Sequence, residues 1–178
     1  MIRDIVVVPH DPSWRRRFER GSARIRAVLG DEVVDIHHIG STAIPSIVAK
    51  PIVDFLVEVK EIGRVDGYNG KMEEAGYRPK GEFGIPGRRY FIRGPDHARK
   101  EHLHIFTAGH SEAVRLLLFR DYMNAHSADA KAYGDLKEEL ARRFPHDIEG
   151  YLAGKEGFIR DIDKKASRWE ARRKDHGS

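Results

Sequence analysis

The sequence predicts an α/β (α+β) fold, in which a mixed sheet with flanking helices precedes a separate helical layer. Three observations predict it. Most prolines, most glycines and the β-branched runs lie before residue 110, and helix formers with few interruptions follow it. The order of patterns is helix, strands with a helix among them, then helices, which calls for a sheet layer followed by a helical one. The chain has 178 residues, 40% hydrophobic and 34% charged. That suits one domain with a real core and excludes a disordered chain. The expected organisation is one domain over 1–178, with a sheet-containing part at 1–110 and C-terminal helices at 111–170.

The elements follow in order. A first helix is expected over 12–29. Asp11 can cap it, Pro12 suits its first turn and Gly30 can stop it. Trp14, Phe18, Ile25, Val28 and Leu29 form its apolar stripe. Val33–Ile39 reads as a strand, and the small-residue segment Gly40–Lys50 as a loop. Pro51–Val59 is an almost continuous apolar run broken by Asp54 and Glu58, the pattern of a central strand. A weak, glycine-interrupted helix is expected over Ile62–Ala75. Short strands follow near 77–80, 89–93 and 102–107, with a turn-rich segment at 81–87. Three helices close the chain. One covers 112–125, capped by Ser111, with Val114, Leu117, Leu118 and Tyr122 inward. The next covers 128–143, capped by Ser127, with Tyr133, Leu136 and Leu140 inward. The last covers 147–169, with Ile148, Leu152, Phe158, Ile159, Ile162 and Trp169 inward.

Composition removes several classes of function. There is no cysteine, so disulfides, thiolate nucleophiles, Fe–S clusters and cysteine-ligated zinc are excluded. No run of 18 apolar residues occurs, and Met1–Ile5 lacks the features of a secretory signal. A cytoplasmic location and no membrane partner are expected. The net charge is +4, but Asp163–Ser178 carries six Lys/Arg against three Asp/Glu, hence three of those four charges. A solvated terminal helix accounts for this, so nucleic acid is not the expected partner.

Three segments carry candidate chemistry. The first is His37-His38-Ile39-Gly40-Ser41-Thr42, a strand running into Gly-Ser-Thr. Glycine lets a ligand approach the backbone, and the hydroxyls and N–H groups of Ser41 and Thr42 suit phosphate oxygens. The second is Lys50-Pro51-Ile52-Val53-Asp54, where Asp54 sits in an apolar run that penalises an unpaired charge. Glu58 lies on the same strand face but about 13 Å along it, at ~3.3 Å per residue, and reads as a solvated charge. The third is Glu101-His102-Leu103-His104. His102 and His104 share one face, where imidazoles can meet an ion or a phosphate, and Glu101 faces the other way. Lys50 and Arg89 lie near these segments in sequence, among several other basic residues.

Together these residues resemble the GrpB family (UPF0157). His38-Ile39-Gly40-Ser41-Thr42, Pro45, Lys50-Pro51 and Asp54 match its signature. The resemblance continues through Gly87-Arg88-Arg89-Tyr90-Phe91, Glu101-His102-Leu103-His104, Phe119-Arg120-Asp121-Tyr122, Tyr133, Leu136-Lys137 and Lys155 with Phe158-Ile159. It implies a nucleotidyltransferase-like fold. It also implies Gly40 and Ser41 as the phosphate-holding Gly-Ser pair and Asp54 as the first catalytic carboxylate. In that superfamily, carboxylates hold divalent ions that activate a hydroxyl and stabilise the leaving pyrophosphate. Here the next carboxylate position is Leu56. The resemblance therefore implies a divalent ion (Mg²⁺, Mn²⁺ or Zn²⁺) on Asp54, His102 and His104, the last two ions suiting imidazole. His38, Gly40, Ser41, Thr42, Lys50, Arg89 and Arg120 are the implied phosphate ligands. The expected partner is a nucleotide or phosphorylated small molecule. It is either used in metal-dependent nucleotidyl transfer or simply bound. No apolar stripe is surplus to the core, so oligomeric state is not legible.

Overall fold

The computed structural model describes residues 4–177. Its strands are β1 (Val33–Ile39), β2 (Val53–Val59), β3 (Tyr77–Pro79), β4 (Arg89–Arg93) and β5 (Glu101–Thr107). They form one sheet in the order β1-β2-β5-β4-β3. β2 and β5 are parallel, and the other neighbours are antiparallel. β2 and β5 are therefore central, in keeping with their apolar sequences.

Helix α1 (Ser13–Leu29) packs on one face of the sheet. Asp11 Oδ1 accepts the Ser13 N–H at 2.8 Å, and Gly30, at φ +53°, ends the helix in a conformation that penalises a side chain. The expected helix over 62–75 is broken into α2 (Ile62–Val65), a 3₁₀ turn (Asp66–Tyr68) and α3 (Asn69–Glu74). Gly63, Gly67 and Gly70 lie in this stretch, and each costs about 1 kcal/mol of helix propensity relative to alanine. These elements cover Val53, Phe55, Val57, Leu103, Ile105 and Phe91, the main core.

The opposite face is covered by α4 (Ser111–Ala125), α5 (Ser127–Arg143) and α6 (Ile148–His176). Their details correct several expectations. His110, not Ser111, caps α4, its Nδ1 accepting the Glu112 N–H at 3.1 Å. Ser127 is the first residue of α5 rather than its cap; His126 holds the cap position, and its side chain makes no capping bond. Asp147 caps α6 by accepting the Gly150 N–H at 3.0 Å, and the helix continues to His176 rather than stopping near 169. Val114 and Leu152, expected inward, are 53% and 48% exposed. Their neighbours Ala113 and Tyr151 are buried instead, while Tyr122 and Ile162 are buried as expected and Leu117, Leu118, Ile148, Phe158, Ile159 and Trp169 pack against the core. No helix among the described residues is long and apolar enough to cross a membrane.

Candidate functional site

The site forms where the sheet meets α5 and α6. β1 ends at Ile39, opposite Asp54 of β2, and the chain turns through Gly40 into a 3₁₀ turn at Ser41–Ala43. Gly40 has φ +73°, and a Cβ there would lie 2.5 Å from Asp54 Oδ2. The glycine is thus required twice, by its left-handed backbone and by the carboxylate against it. Parallel pairing puts His102 directly beside Asp54. The alternation read from sequence holds: Asp54, His102 and His104 meet on one face, while Glu101 faces α1 and bonds Tyr77 and Arg24 at 2.7 and 2.8 Å. Glu58 differs from expectation. It pairs with His37 at 3.1 Å and is not a solvated charge.

Asp54 Oδ1 lies 3.3 Å from His102 Nδ1 and 3.6 Å from His104 Nε2. Burial raises the carboxyl's proton affinity, but the two imidazoles outweigh it and hold Asp54 well below the usual carboxylate range. Arg88, only 6% exposed, donates from Nη1 to His104 Nδ1 at 3.3 Å. A guanidinium cannot accept, so neutral His104 carries its proton on Nε2, the nitrogen facing Asp54. His104 turns a proton, not a lone pair, toward the shared carboxylate, and the Arg88 cation stands behind it. Asp54 Oδ2 is packed against Gly40. Among the described residues no group of three His, Asp or Glu is arranged to hold a metal ion. The three side chains therefore do not fit a divalent ion as one set; Asp54 instead pairs with both imidazoles, and His102 Nε2 has no partner.

The same carboxylate borders a cleft of about 190 Å³. Its walls are the Gly40–Thr42 turn, Lys50 and Ile52, Asp54 and His102, Tyr133 and Lys137 of α5, and Tyr151 and Lys155 of α6. Each helix contributes a Tyr-x-x-x-Lys pair, so each ammonium lies near the preceding tyrosine ring: 5.1 Å for Lys137 over Tyr133 and 4.5 Å for Lys155 over Tyr151. Lys50 lies 5.2 Å from the Tyr151 ring. Lys137 is buried, and its Nζ donates to the Val48 carbonyl at 2.6 Å. Burial, and then its lysine neighbours, push Lys137 down to about 7 and Lys155 to about 8, with Asp54 opposing both shifts. Burial pushes the Tyr133 phenol up to about 12. Three lysines therefore face one carboxylate in a small, partly desolvated space. Such a space suits an anion.

Of the residues singled out in the sequence, Gly40, Ser41, Thr42, Lys50, Asp54 and His102 line this cleft. His104 lies behind Asp54. His38, Arg120 and Arg89 do not line it. His38 pairs with Phe55, so it points to the α1 face, where it stacks on Phe18 at 4.9 Å. It bonds Thr42 Oγ1 at 2.8 Å, and burial pushes its pKa down to about 4. Arg120 donates to the His38 carbonyl at 3.2 Å and to Asp121 at 2.9 Å. Together they border a separate cavity of about 450 Å³ that shares Thr42 with the first. Arg89 pairs with Ile105 on the face away from Asp54 and forms a bidentate bridge to Asp66, at 2.6 and 3.0 Å. The sequence reading missed Tyr133, Lys137, Tyr151 and Lys155 as site residues. The repeated four-residue Tyr-to-Lys spacing was the available signal.

The sheet order, the Gly-Ser turn and the carboxylate on the next strand define a nucleotidyltransferase-like fold. Comparison with solved structures agrees. A Cid1 poly(U) polymerase structure with Mg and 3′-dATP bound superposes with a TM-score of 0.53 at 14% identity, over 77% of this chain and 44% of that one. Within that class the chain belongs to the GrpB family, whose model, "GrpB protein", matches residues 4–165. The UPF0157 protein YqkA of Bacillus subtilis is 42% identical over 168 residues, covering 94% of this chain and 49% of YqkA. The chain thus spans about half the length of that relative. The conserved protein GrpB from Enterococcus faecalis matches in structure with a TM-score of 0.88 and 38% identity, over 93% of this chain and 99% of that one.

Proposed function

We propose that this chain binds the phosphate group of a nucleotide or phosphorylated small molecule in the Lys50–Lys137–Lys155 cleft, without a metal ion. The observation that carries the reading is the charge balance there: three ammoniums against one carboxylate, beside the Gly40–Thr42 turn. A phosphate dianion in this position supplies negative charge, accepts hydrogen bonds from Lys50 and Lys155 and restores the proton of Lys155, which burial holds down to about 8. Asp54 positions the turn through its contact with Gly40 and offsets part of the cationic field. The likeness to a nucleotide-bound polymerase supports the fold and leaves the ligand to the site's own chemistry.

Nucleotidyl transfer is the second reading, favoured by the place of Asp54 beside the Gly40-Ser41 turn. It lacks the partner carboxylate, since Leu56 is buried in the core at that position, and the histidines do not replace it as ligands. The test is a thermal-shift screen of inorganic phosphate, pyrophosphate and nucleotides, with chelator and separately with Mg²⁺, Mn²⁺ or Zn²⁺. A ligand that binds the native state raises Tm by mass action. Shifts with chelator present that vanish in Lys50→Ala/Lys155→Ala support the binding reading. Shifts that require a divalent ion and vanish in Asp54→Ala support transfer.

A further inference from the structure

We propose that Lys137 is a reactive amine that captures a phosphorylated aldehyde or ketone as an imine, with Tyr151 as the hydrogen-bond donor to the carbonyl oxygen. The inference rests on the phosphate-binding reading and adds the substrate class and a covalent step.

Two observations carry it beyond phosphate binding. Tyr151 is fully buried, borders the cleft, and its hydroxyl has no hydrogen-bond partner. Burial raises the phenol's pKa, so at neutral pH it is an O–H donor. A buried donor left without an acceptor is costly, and a ligand oxygen is the group that satisfies it. Lys137 is the second observation. It is 2% exposed, and its hydrogen-bond partner is the neutral Val48 carbonyl rather than a carboxylate. Lys50 and Lys155 share its cleft. Desolvation and cationic neighbours are the two conditions that convert a lysine into a nucleophile at neutral pH, and burial pushes this one to about 7.

The division of labour follows. Lys50 and Lys155 hold the phosphate, which places the carbonyl carbon near Lys137. The Lys137 nitrogen adds to that carbon, forming a C–N bond, and one amine proton passes to the carbonyl oxygen to give a carbinolamine. Tyr151 donates a hydrogen bond to that oxygen. The C–O bond then breaks, the second amine proton leaves with the oxygen as water, and the imine remains. Amine plus carbonyl gives imine plus water, and no redox partner is needed.

The test uses pyridoxal 5′-phosphate as a phosphorylated aldehyde, with pyridoxal as its phosphate-free counterpart. The full chain is treated with each, reduced with borohydride and mapped by peptide mass. The expected result is one reduced adduct per chain at Lys137. It should form much faster with the phosphate ester, be suppressed by inorganic phosphate and be lost in Lys137→Arg. Mapping on the unsubstituted protein keeps the test valid if that variant folds poorly. Label spread over surface lysines such as Lys131, or a Lys137 adduct that forms equally with pyridoxal, overturns the proposal. If phosphate raises Tm but no Lys137 adduct forms, the covalent step fails and the binding reading stands. If phosphate neither raises Tm nor competes, the binding reading fails too.

Discussion

Two buried charge clusters lie on opposite faces of the same sheet, and they are balanced differently. On the α1 face, Glu101 is 3% exposed. Arg24 and Arg93 reach one of its oxygens at 2.8 and 3.4 Å, and the Tyr77 hydroxyl reaches the other at 2.7 Å. Both oxygens are bonded, and the cluster ties α1 and β3–β4 to β5. On the other face, three lysines surround a cleft with a single carboxylate, and the Tyr151 hydroxyl points at no partner. In the first cluster the carboxylate and the phenol are satisfied within the protein, although Nε of Arg24 and of Arg93 has no partner. On the proposed reading, the second is completed by an anion from outside. Neighbouring residues of β5, Glu101 and His102, belong to the two different clusters because successive strand side chains point to opposite faces.

The contrast can be broken experimentally, beginning with the largest effect. Glu101→Ala leaves two guanidiniums beside an empty buried position and should destabilise the fold by about 3–5 kcal/mol. Chemical denaturation reads this as a lower midpoint, and the remaining folded protein should bind phosphate with unchanged affinity. Lys50→Ala and Lys155→Ala should act the other way round. Each removes a charged hydrogen-bond donor worth about 1.5–3 kcal/mol to the bound anion, roughly tenfold or more in Kd by calorimetry, with little loss of stability.

The pH dependence separates the two clusters next. Lys137 and Lys155 are held down near about 7 and about 8 by burial. Phosphate affinity should therefore fall as pH rises through those values, because the cleft loses positive charge. Stability of the ligand-free protein should move oppositely. The unfolded chain keeps its lysines protonated up to the ordinary value of 10.5. Above about 7 it therefore holds more protons than the native state, and stability rises with pH until that value. Titration calorimetry and urea melts across this range check both slopes. The smallest effect is expected at Arg89. Its bridge to Asp66 is partly exposed and worth about 0–1 kcal/mol, and Arg89→Ala should leave phosphate affinity unchanged.

Much of the sheet was legible because strand signals are local. The β1 and β4 boundaries and the central apolar run of β2 followed from alternation and β-branching. Alternation also gave the shared face of His102 and His104, whereas their convergence with Asp54 came from the family resemblance. Arg89 lies near the candidate segments in sequence, but which face of β4 meets the site was not legible, and its side chain falls on the face away from Asp54. His38 failed similarly: it adjoins the Gly40–Thr42 turn in sequence, yet strand alternation sends it toward α1. The helical half of the site was harder. Lys137 and Lys155 look like ordinary solvated lysines in helices of mixed polarity, and their burial depends on how α5 and α6 pack over the sheet. The implied metal set illustrates the same limit. Three candidate ligands, one aspartate and two histidines, did converge, but the Arg88 contact that fixes the His104 proton is a tertiary fact.

The central claim is that the lysine cleft, and not the Asp54–histidine cluster with a metal, is what recognises the ligand. The most direct measurement is calorimetric titration of pyrophosphate into the protein with chelator present, repeated for Lys50→Ala/Lys155→Ala and for His104→Ala. Metal-free binding that is lost in the lysine pair and kept in His104→Ala is the predicted result. Binding that appears only with a divalent ion, survives loss of both lysines and disappears in His104→Ala would contradict it.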